Sequence, residues 1–256
     1  MGDVYPRAVA SKPWQWTDAD CIVVDYATPD EDAAALLPSE LSLLPADRSG
    51  RAIVRLWLAT YRGGTLGPHN EAIVEIGCLY EGRFALYIPF AYVDSFPALA
   101  SGREVAGFPK QFGTIAVQTA GRQFSAQLDQ HGRRLFSVRC AVGDPLTSLP
   151  LPRTCRPVLP PPFDRTLPLP EPDGECHAVA IPVITTRYIP WGIEPQHILS
   201  DWAWEKGTVY AAEAAVDHHV GDTGPLATLA VLEVLGALAF RGDMTVHGST
   251  ILQDMA

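Results

Sequence analysis

Three lysines are the only side-chain amines of this 256-residue chain, and one of them, Lys110, stands in an unusual setting. Phe108 and Pro109 precede it, and Gln111 and Phe112 follow it. We expect few groups nearby to solvate or pair an ammonium group there. Removal from water favours the neutral form of a lysine, and the neutral amine is the form that attacks a carbonyl carbon. The segment therefore indicates amine nucleophile chemistry, or else a surface lysine that follows a turn.

Other common catalytic patterns are missing from the sequence. It contains no G-x-G-x-x-G, no Walker loop, no H-E-x-x-H and no G-x-S-x-G. His218 and His219 are adjacent, so an extended backbone turns them to opposite sides and disfavours a shared metal. The five cysteines are an odd number without a C-x-x-C pair, which indicates reduced thiols. We predict no metal and no cofactor.

Charge and hydropathy exclude further classes of protein. Nineteen Lys plus Arg against 29 Asp plus Glu give a net charge of −10, with no basic run for nucleic acid to bind. No apolar stretch reaches the length of a membrane span. The first residues contain no apolar core of a signal peptide. We therefore expect a cytoplasmic protein that binds neither nucleic acid nor membrane.

Short apolar and β-branched runs, separated by Gly, Asp or Pro, dominate the pattern and predict many strands joined by antiparallel hairpins. The predicted strands are Ala52 to Thr60, Glu71 to Leu79, Arg83 to Tyr92, Gly113 to Thr119, Gln123 to Leu128, Arg134 to Val142, His177 to Thr185 and Thr208 to Val216. The sequence thus predicts a β-rich α+β fold.

Few segments predict helices. Residues 29–37 begin with Pro and three acidic residues and predict a short helix that stops before Pro38. Residues 225–238 are apolar on all sides and predict a buried helix. Residues 145–172 hold ten prolines and predict a connector without regular ladders. We expect one domain over residues 1–256 that includes this connector.

The run Gly102-Arg103-Glu104-Val105-Ala106-Gly107-Phe108-Pro109-Lys110 resembles the G-R-E-x-x-x-[FY]-P-K signature of the acetoacetate decarboxylase family. Residues 92–100 and 67–72 are similar to the family's flanking segments. The resemblance is strong over residues 54–113 and weaker elsewhere. It implies antiparallel sheets in a barrel-like or sandwich-like fold with a few short helices.

The resemblance also implies a mechanism. Lys110 is then the nucleophile that forms a Schiff base with a ketone, and the iminium draws electrons from the neighbouring carbon. Glu71 matches a family carboxylate that orients the substrate or moves protons, or it is a strand-edge glutamate facing water. Arg103 and Glu104 match the signature, and we expect them to support the loop by pairing or by capping backbone groups. Phe108, in the same segment, is expected to support the site or to contact the substrate.

Three positions depart from the family pattern. Gln111 stands where decarboxylases of the family carry a second lysine, so burial must favour the neutral amine without a neighbouring cation. Trp57 stands where the family has a second carboxylate, so the pocket is either larger and more apolar or filled by the indole. Residues 17–21 lack the family's early arginine, for which Arg55 or Arg62 is a candidate substitute.

These departures lead us to expect a lyase that uses Lys110 to decarboxylate a β-keto acid larger than acetoacetate. Two alternatives stay open. The same iminium and enamine serve an aldolase, a dehydratase or a cyclase, and a family member can also bind ligands without catalysis. The family tends to form homo-oligomers, and the many strand edges lead us to expect one here.

Overall fold

The computed structural model describes residues 12–44, 46, 49–146, 148–149, 167–168, 181–187, 196–219 and 225–252. Strands dominate these residues, as the sequence predicts. The strands are β1 (Trp14–Pro29), β2 (Ser42–Leu43), β3 (Arg51–Gly64), β4 (His69–Tyr80), β5 (Arg83–Val93), β6 (Lys110–Phe112), β7 (Thr114–Ala120), β8 (Gln123–Gln130), β9 (Arg133–Pro145), β10 (Ser148–Leu149), β11 (Leu167–Pro168), β12 (Ile181–Arg187), β13 (Gln196–His218) and β14 (Glu233–Leu252). The helices are α1 (Asp30–Ala34), α2 (Phe96–Ala106) and a 3₁₀ turn (Pro225–Thr228).

Seven strands form a barrel. Hydrogen bonding runs through β12, β5, β4, β3, β1, β14 and β13 in that order, and β13 pairs again with β12. All of these pairings are antiparallel except that of β12 with β5. Closure removes the free edges that an open sheet of these strands would leave. The β-rich α+β prediction with a barrel-like arrangement is therefore confirmed.

A second layer covers one side of the barrel. The long strand β13 also pairs with β9, and β8 and β7 continue the sheet from there. Alternate residues of β1 and β3 therefore enter different cores: Val23 and Trp57 lie in the barrel interior, whereas Val24 and Leu56 pack against the second layer. Both faces of these strands are buried, which explains their nearly continuous apolar sequence.

Most predicted elements are present. The strands predicted between residues 52 and 142 and the short helix after Pro29 occur, with ends that differ by a few residues. The strand predicted at 208–216 is part of β13, which begins much earlier, at Gln196. Residues 181–185 of the strand predicted from His177 lie in β12, and 177–180 lie outside the described residues. Most of the predicted connector at 145–172 also lies outside them, although β10 and β11 pair within it.

The buried helix predicted at residues 225–238 is wrong. The chain makes only a 3₁₀ turn and then enters β14 at Glu233. An apolar run of this length is compatible with a buried helix or with a strand covered on both sides, and periodicity does not separate the two. Here the strand forms because β14 pairs with β1 on one edge and with β13 on the other. In the part of the chain that the structure describes, no helix is long and apolar enough to cross a membrane.

Gly242 lies at a close approach of the paired strands β13 and β14, and substitution there tests the barrel. Gly242 pairs with Gly207, and its φ of 153° lies in a region that side chains disfavour. A Cβ at Gly242 would overlap the carbonyl oxygen of Lys206 and lie 2.5 Å from Gly207 Cα. We expect Gly242→Ala to lower the free energy of unfolding by about 2 kcal/mol or more, measured by urea denaturation.

The matched control for this test is Gly236→Ala on the same strand. A Cβ there meets no atom within 4 Å, and we expect only a small change in stability. Equal stability of the two variants would contradict the close approach of the strands.

Candidate active site

Helix α2 and the turn after it place Lys110. The helix ends at Gly107, whose φ of 69° is left-handed and suits glycine. Phe108 then donates its backbone N–H to the carbonyl oxygen of Gly102 at 3.0 Å, which closes the helix end. Strand β6 begins at Lys110, which is in register with Ala91 of the parallel strand β5. The signature segment therefore carries the lysine from the helix end to the barrel wall.

Lys110 and Glu71 form a buried ion pair. Lys110 Nζ lies 2.5 Å from Glu71 Oε1, and each side chain is 1% exposed. Glu71 reaches the amine from β4, where it is opposite Val93 of β5. Few groups were expected to pair the ammonium group, but the structure gives it a carboxylate partner. The alternative of a strand-edge Glu71 that faces water is wrong. Removal of either partner would leave a buried charge uncompensated.

The stem of Lys110 fits against the backbone of α2. A Cβ at Gly102 would lie 2.5 Å from Lys110 Cδ and 2.6 Å from Cε. On another side, the ammonium group is 5.3 Å from the centroid of the buried Phe108 ring, within the range of cation–π attraction. Glycine at 102 and the aromatic ring at 108 thus hold the amine in one position.

The other charged and polar residues of the signature lie outside the pair. Arg103 and Glu104 are exposed, and Arg103 Nη1 donates to the carbonyl oxygen of Lys110 at 3.3 Å. Gln111 is exposed, and its Oε1 accepts a hydrogen bond from Gln130 Nε2 at 2.8 Å. A strand turns successive side chains to opposite faces. Position 111 therefore points away from the amine, and a cation there would not face it.

Trp57 fills part of the barrel interior. It is 3% exposed, packs edge-on against Trp202 at 5.8 Å between ring centroids, and lies 6.1 Å from Trp204. Its Nε1 donates to the hydroxyl of Tyr61 at 3.3 Å. A cavity of only about 10 Å³ remains beside these rings. Of the two alternatives at this position, the structure favours the pocket filled by the indole.

Sequence reasoning missed a polar row inside the barrel. Arg55 binds Asp25 through two hydrogen bonds of 2.7 and 2.9 Å, and Glu75 stands opposite Arg55 on β4. Arg55 and Glu75 line the small cavity next to Trp57. Burial raises the pKa of Glu75 to about 7, and Asp25 adds to the effect while Arg55 opposes it. The inward period of β4, which places residues 71, 73 and 75 on one face, is the signal that could have found Glu75.

The two arginines considered as substitutes for the missing family arginine have other partners. Arg55 is engaged by Asp25. Arg62 is half-exposed and binds Asp20 at 2.6 Å and Asp18 at 3.2 Å. Among the described residues, no group of three or more His, Cys, Asp or Glu side chains is arranged to hold a metal ion.

A barrel with a buried lysine and carboxylate is the framework of this site, and comparison with known proteins assigns its family. The family model described as acetoacetate decarboxylase matches residues 4–255. The chain therefore belongs to the acetoacetate decarboxylase family, as the signature indicates.

Individual relatives agree with this assignment. The chain is 30% identical over 135 residues to Decarboxylase DEC1 of Cochliobolus heterostrophus, a match to 52% of this chain and 51% of that protein. It thus spans about half the length of this relative. It is 27% identical over 254 residues to an acetoacetate decarboxylase of Streptomyces nogalater, with 96% and 92% of the two chains covered.

Solved structures share the fold. An acetoacetate decarboxylase from Legionella pneumophila superposes with a TM-score of 0.76 at 14% identity, covering 99% of this chain and 92% of that one. The enduracididine biosynthesis enzyme MppR, solved with pyruvate, gives a TM-score of 0.71 at 21% identity, covering 97% and 93%.

The contact between Gly102 and Lys110 gives a first prediction about the site. Gly102→Ala should improve the helix by about 1 kcal/mol in local propensity, while its methyl group displaces the Lys110 stem. We expect a folded protein in which the amine reacts at least about tenfold more slowly with a carbonyl reagent, since small displacements of reacting groups are costly. Reductive trapping followed by peptide mapping measures this rate. Gly77→Ala, where a Cβ would make an ordinary 3.4 Å contact with Leu44, is the matched control. An unchanged rate for Gly102→Ala would contradict the packing described above.

The raised pKa of Glu75 predicts a dependence of stability on pH. In the unfolded chain a glutamate has a pKa of about 4.5, so between pH 4.5 and 7 the folded protein binds more protons at Glu75. The free energy of unfolding should therefore fall as pH rises through this window, by about 3 kcal/mol in all. Glu75→Gln is neutral at every pH and should remove this decline in urea titrations at pH 5, 6 and 7.

Glu213→Gln, an exposed position on β13, is the control for charge alone. If Glu75→Gln kept the full decline between pH 5 and 7, the assignment of the proton to Glu75 would be wrong.

Proposed function

We propose that this protein is a Schiff-base-forming lyase in which Lys110 attacks the keto group of a β-keto acid larger than acetoacetate. The observation that carries the proposal is the ion pair of Lys110 and Glu71, whose atoms are 2.5 Å apart and removed from water. An amine held beside a carboxylate has a base at hand to take its proton. Membership in a family whose relatives are decarboxylases supports the same chemistry.

The first step is a proton transfer within the pair. Glu71 takes a proton from the Lys110 ammonium group, and the ion pair becomes a neutral acid beside a neutral amine. Both states have no net charge, so the transfer requires no charge to enter the apolar interior. The amine lone pair then forms a C–N bond to the keto carbon. The keto oxygen takes one proton from the amine nitrogen and one from Glu71, leaves as water, and yields an iminium ion beside the Glu71 carboxylate.

The second step breaks the carbon–carbon bond. The electron pair of the bond to the carboxylate moves toward the iminium nitrogen, carbon dioxide leaves and an enamine remains. A proton then adds to the enamine carbon, and water hydrolyses the new iminium to release the ketone and Lys110. Each turnover consumes one proton, because the bond to the carboxylate is replaced by a bond to hydrogen. No metal or cofactor enters these steps.

The preference for a substrate larger than acetoacetate rests on the aromatic lining and not on open space, since the cavity of about 10 Å³ beside Trp57 must widen to admit any keto acid. Trp57, Trp202 and Trp204 present aromatic rings in the barrel, and such rings attract apolar substituents. Arg55 and Arg62 are each held by aspartates. Binding therefore depends more on the carbon skeleton than on a free arginine for the carboxylate.

Carbon–carbon bond formation is the second candidate function. The enamine is a carbon nucleophile, and an aldehyde in place of a proton would give aldol, dehydration or cyclisation products. The likeness to MppR favours this candidate, because that enzyme has also been solved with the condensation product of pyruvate and imidazole 4-carboxaldehyde. Release of carbon dioxide separates the two candidates.

Borohydride trapping tests the proposal. The protein is incubated with acetoacetate, pyruvate, larger β-keto acids and ketones, reduced, and analysed by intact mass and peptide mapping. We expect an adduct on Lys110 with at least one larger β-keto acid. Lys110→Ala should abolish it, and Lys206→Ala, an exposed lysine, should not. Glu71→Gln should slow adduct formation about 100-fold or more, as expected for loss of an acid–base group.

The outcomes separate the alternatives. An adduct with release of carbon dioxide supports the decarboxylase, and an adduct without it supports the second candidate. No adduct with any compound would overturn the Schiff-base mechanism and leave a ligand-binding member of the family.

A further inference from the structure

An open polar cleft lies next to the buried pair. Its volume is about 460 Å³, and it is lined by residues 60–62 of β3, residues 68–70 around the start of β4, and Asp94. Lys110 and Glu71 do not line it. Among the cleft residues, His69 is on the same strand face as Glu71, because the two are separated by two positions on β4. His69 therefore stands between the cleft and the pair along this strand.

Hydrogen bonding fixes the tautomer of His69. Its Nδ1 lies 2.8 Å from the carbonyl oxygen of Gly67. A carbonyl oxygen only accepts, so Nδ1 of the neutral ring carries the hydrogen and Nε2 presents a lone pair. Nε2 is buried, and no described residue gives it a hydrogen-bond partner. A buried acceptor left unpaired is costly, which is a reason to look for a role.

The surroundings of His69 favour its neutral form. The ring is 5% exposed and packs on Tyr61 at 4.9 Å and Trp16 at 6.4 Å between centroids. Burial lowers the pKa of His69, Lys110 lowers it further, and Glu71, Asp94 and the bond to Gly67 oppose the shift. Arg62 also lines the cleft, where Asp18 and Asp20 hold it. His69 is thus neutral near pH 7 and interacts electrostatically with both members of the buried pair.

We propose that His69 is the relay through which protons pass between solvent in the cleft and the Lys110–Glu71 pair. The reaction proposed above needs this path, because it consumes one proton per turnover while both partners are 1% exposed. This inference therefore rests on the proposed function for its purpose. The process that it predicts, proton exchange at Lys110, can be measured without any substrate.

The relay conserves protons at each step. Because Nε2 is buried and unpaired, each transfer requires the ring to move until Nε2 meets a water molecule or the Glu71 carboxylate. In the inward direction, Nε2 takes a proton from water that enters from the cleft, giving an imidazolium ion and hydroxide. It then passes the proton to the carboxylate of Glu71, which supplies the reacting carbon or the amine. In the outward direction, the ammonium proton moves to Glu71, then to Nε2, then to water. The ring returns to the neutral Nδ1–H tautomer in both cases.

Exchange of the Lys110 ammonium hydrogens with D₂O tests the relay without a substrate. The protein is labelled with ¹⁵N-lysine, and the three lysines are followed by NMR. His69→Phe fills the same space without a titratable nitrogen. We expect it to slow exchange at Lys110 about 100-fold at pH 7, the loss typical of an acid–base group. Thr60→Val, a change at another cleft residue, should exchange as the wild type does.

A second variant separates proton transfer from packing. His69→Ala should exchange slowly in buffer alone, and added imidazole should restore the rate at Lys110. Pyrazole has the same size but is a much weaker base, and it should not. Exchange at Lys206 reports any general effect of the additives. Thermal unfolding of each variant shows that the fold is kept.

Two results would overturn the relay: wild-type exchange in His69→Phe, or equal rescue by imidazole and pyrazole. Borohydride trapping of the wild type reports separately on the proposed function. Trapping with unaltered exchange rejects the relay and keeps the Schiff base, whereas slowed exchange without trapping keeps the relay and rejects the Schiff base.

Discussion

The ion pair between Lys110 and Glu71 is the constraint on which the rest of the site depends. Two opposite charges without access to water remain stable only if their geometry is held closely. The left-handed Gly107 ends α2 at the right residue, Gly102 leaves space for the lysine stem, and β6 sets its register against β5. The signature segment therefore positions the lysine, and most of its residues do so by shaping the backbone.

The barrel interior carries two polar groups of different character. Near one end, Lys110 and Glu71 balance each other and can exchange a proton without changing the net charge. Four residues further along β4, Glu75 faces Arg55, whose guanidinium group is already bound to Asp25. This arrangement leaves Glu75 with partial compensation only, which is why burial raises its pKa to about 7. Trp57 on the neighbouring strand pairs with Ile73 and so lies between the two groups.

Much of the fold could be predicted from the sequence, and the failures have physical causes. Alternation and turn residues indicate the hairpins of β3, β4 and β5 and those of β7, β8 and β9, whereas α2, which lies between the two groups, was not predicted. Residues 225–238 misled because the strand has half-buried apolar residues on both faces, so no polar face marks its period. Strand β1 was not predicted, since acidic residues such as Asp20 and Asp25 interrupt its apolar pattern. These carboxylates are satisfied by arginines that lie on other segments.

The site was predictable only in part, because its contacts join residues that are far apart in the sequence. Lys110 and Glu71 could be named from the family signature, but their contact joins residues far apart in the chain, and no spacing rule reports it. Arg55 and Glu75 carry no motif and become a pair only when β3 and β4 align.

His69 shows what decides function in a site of this kind. Burial is needed to control the charge of an amine, yet the same burial separates the amine from the protons that a decarboxylation consumes. A carboxylate alone does not resolve this conflict, because Glu71 is as buried as the lysine it serves. A neutral imidazole resolves it at low cost, since it carries no charge into the interior until a proton passes. The strand period that turns Glu71 toward Lys110 also turns His69 the same way, so the barrel geometry that buries the pair supplies its connection to the cleft.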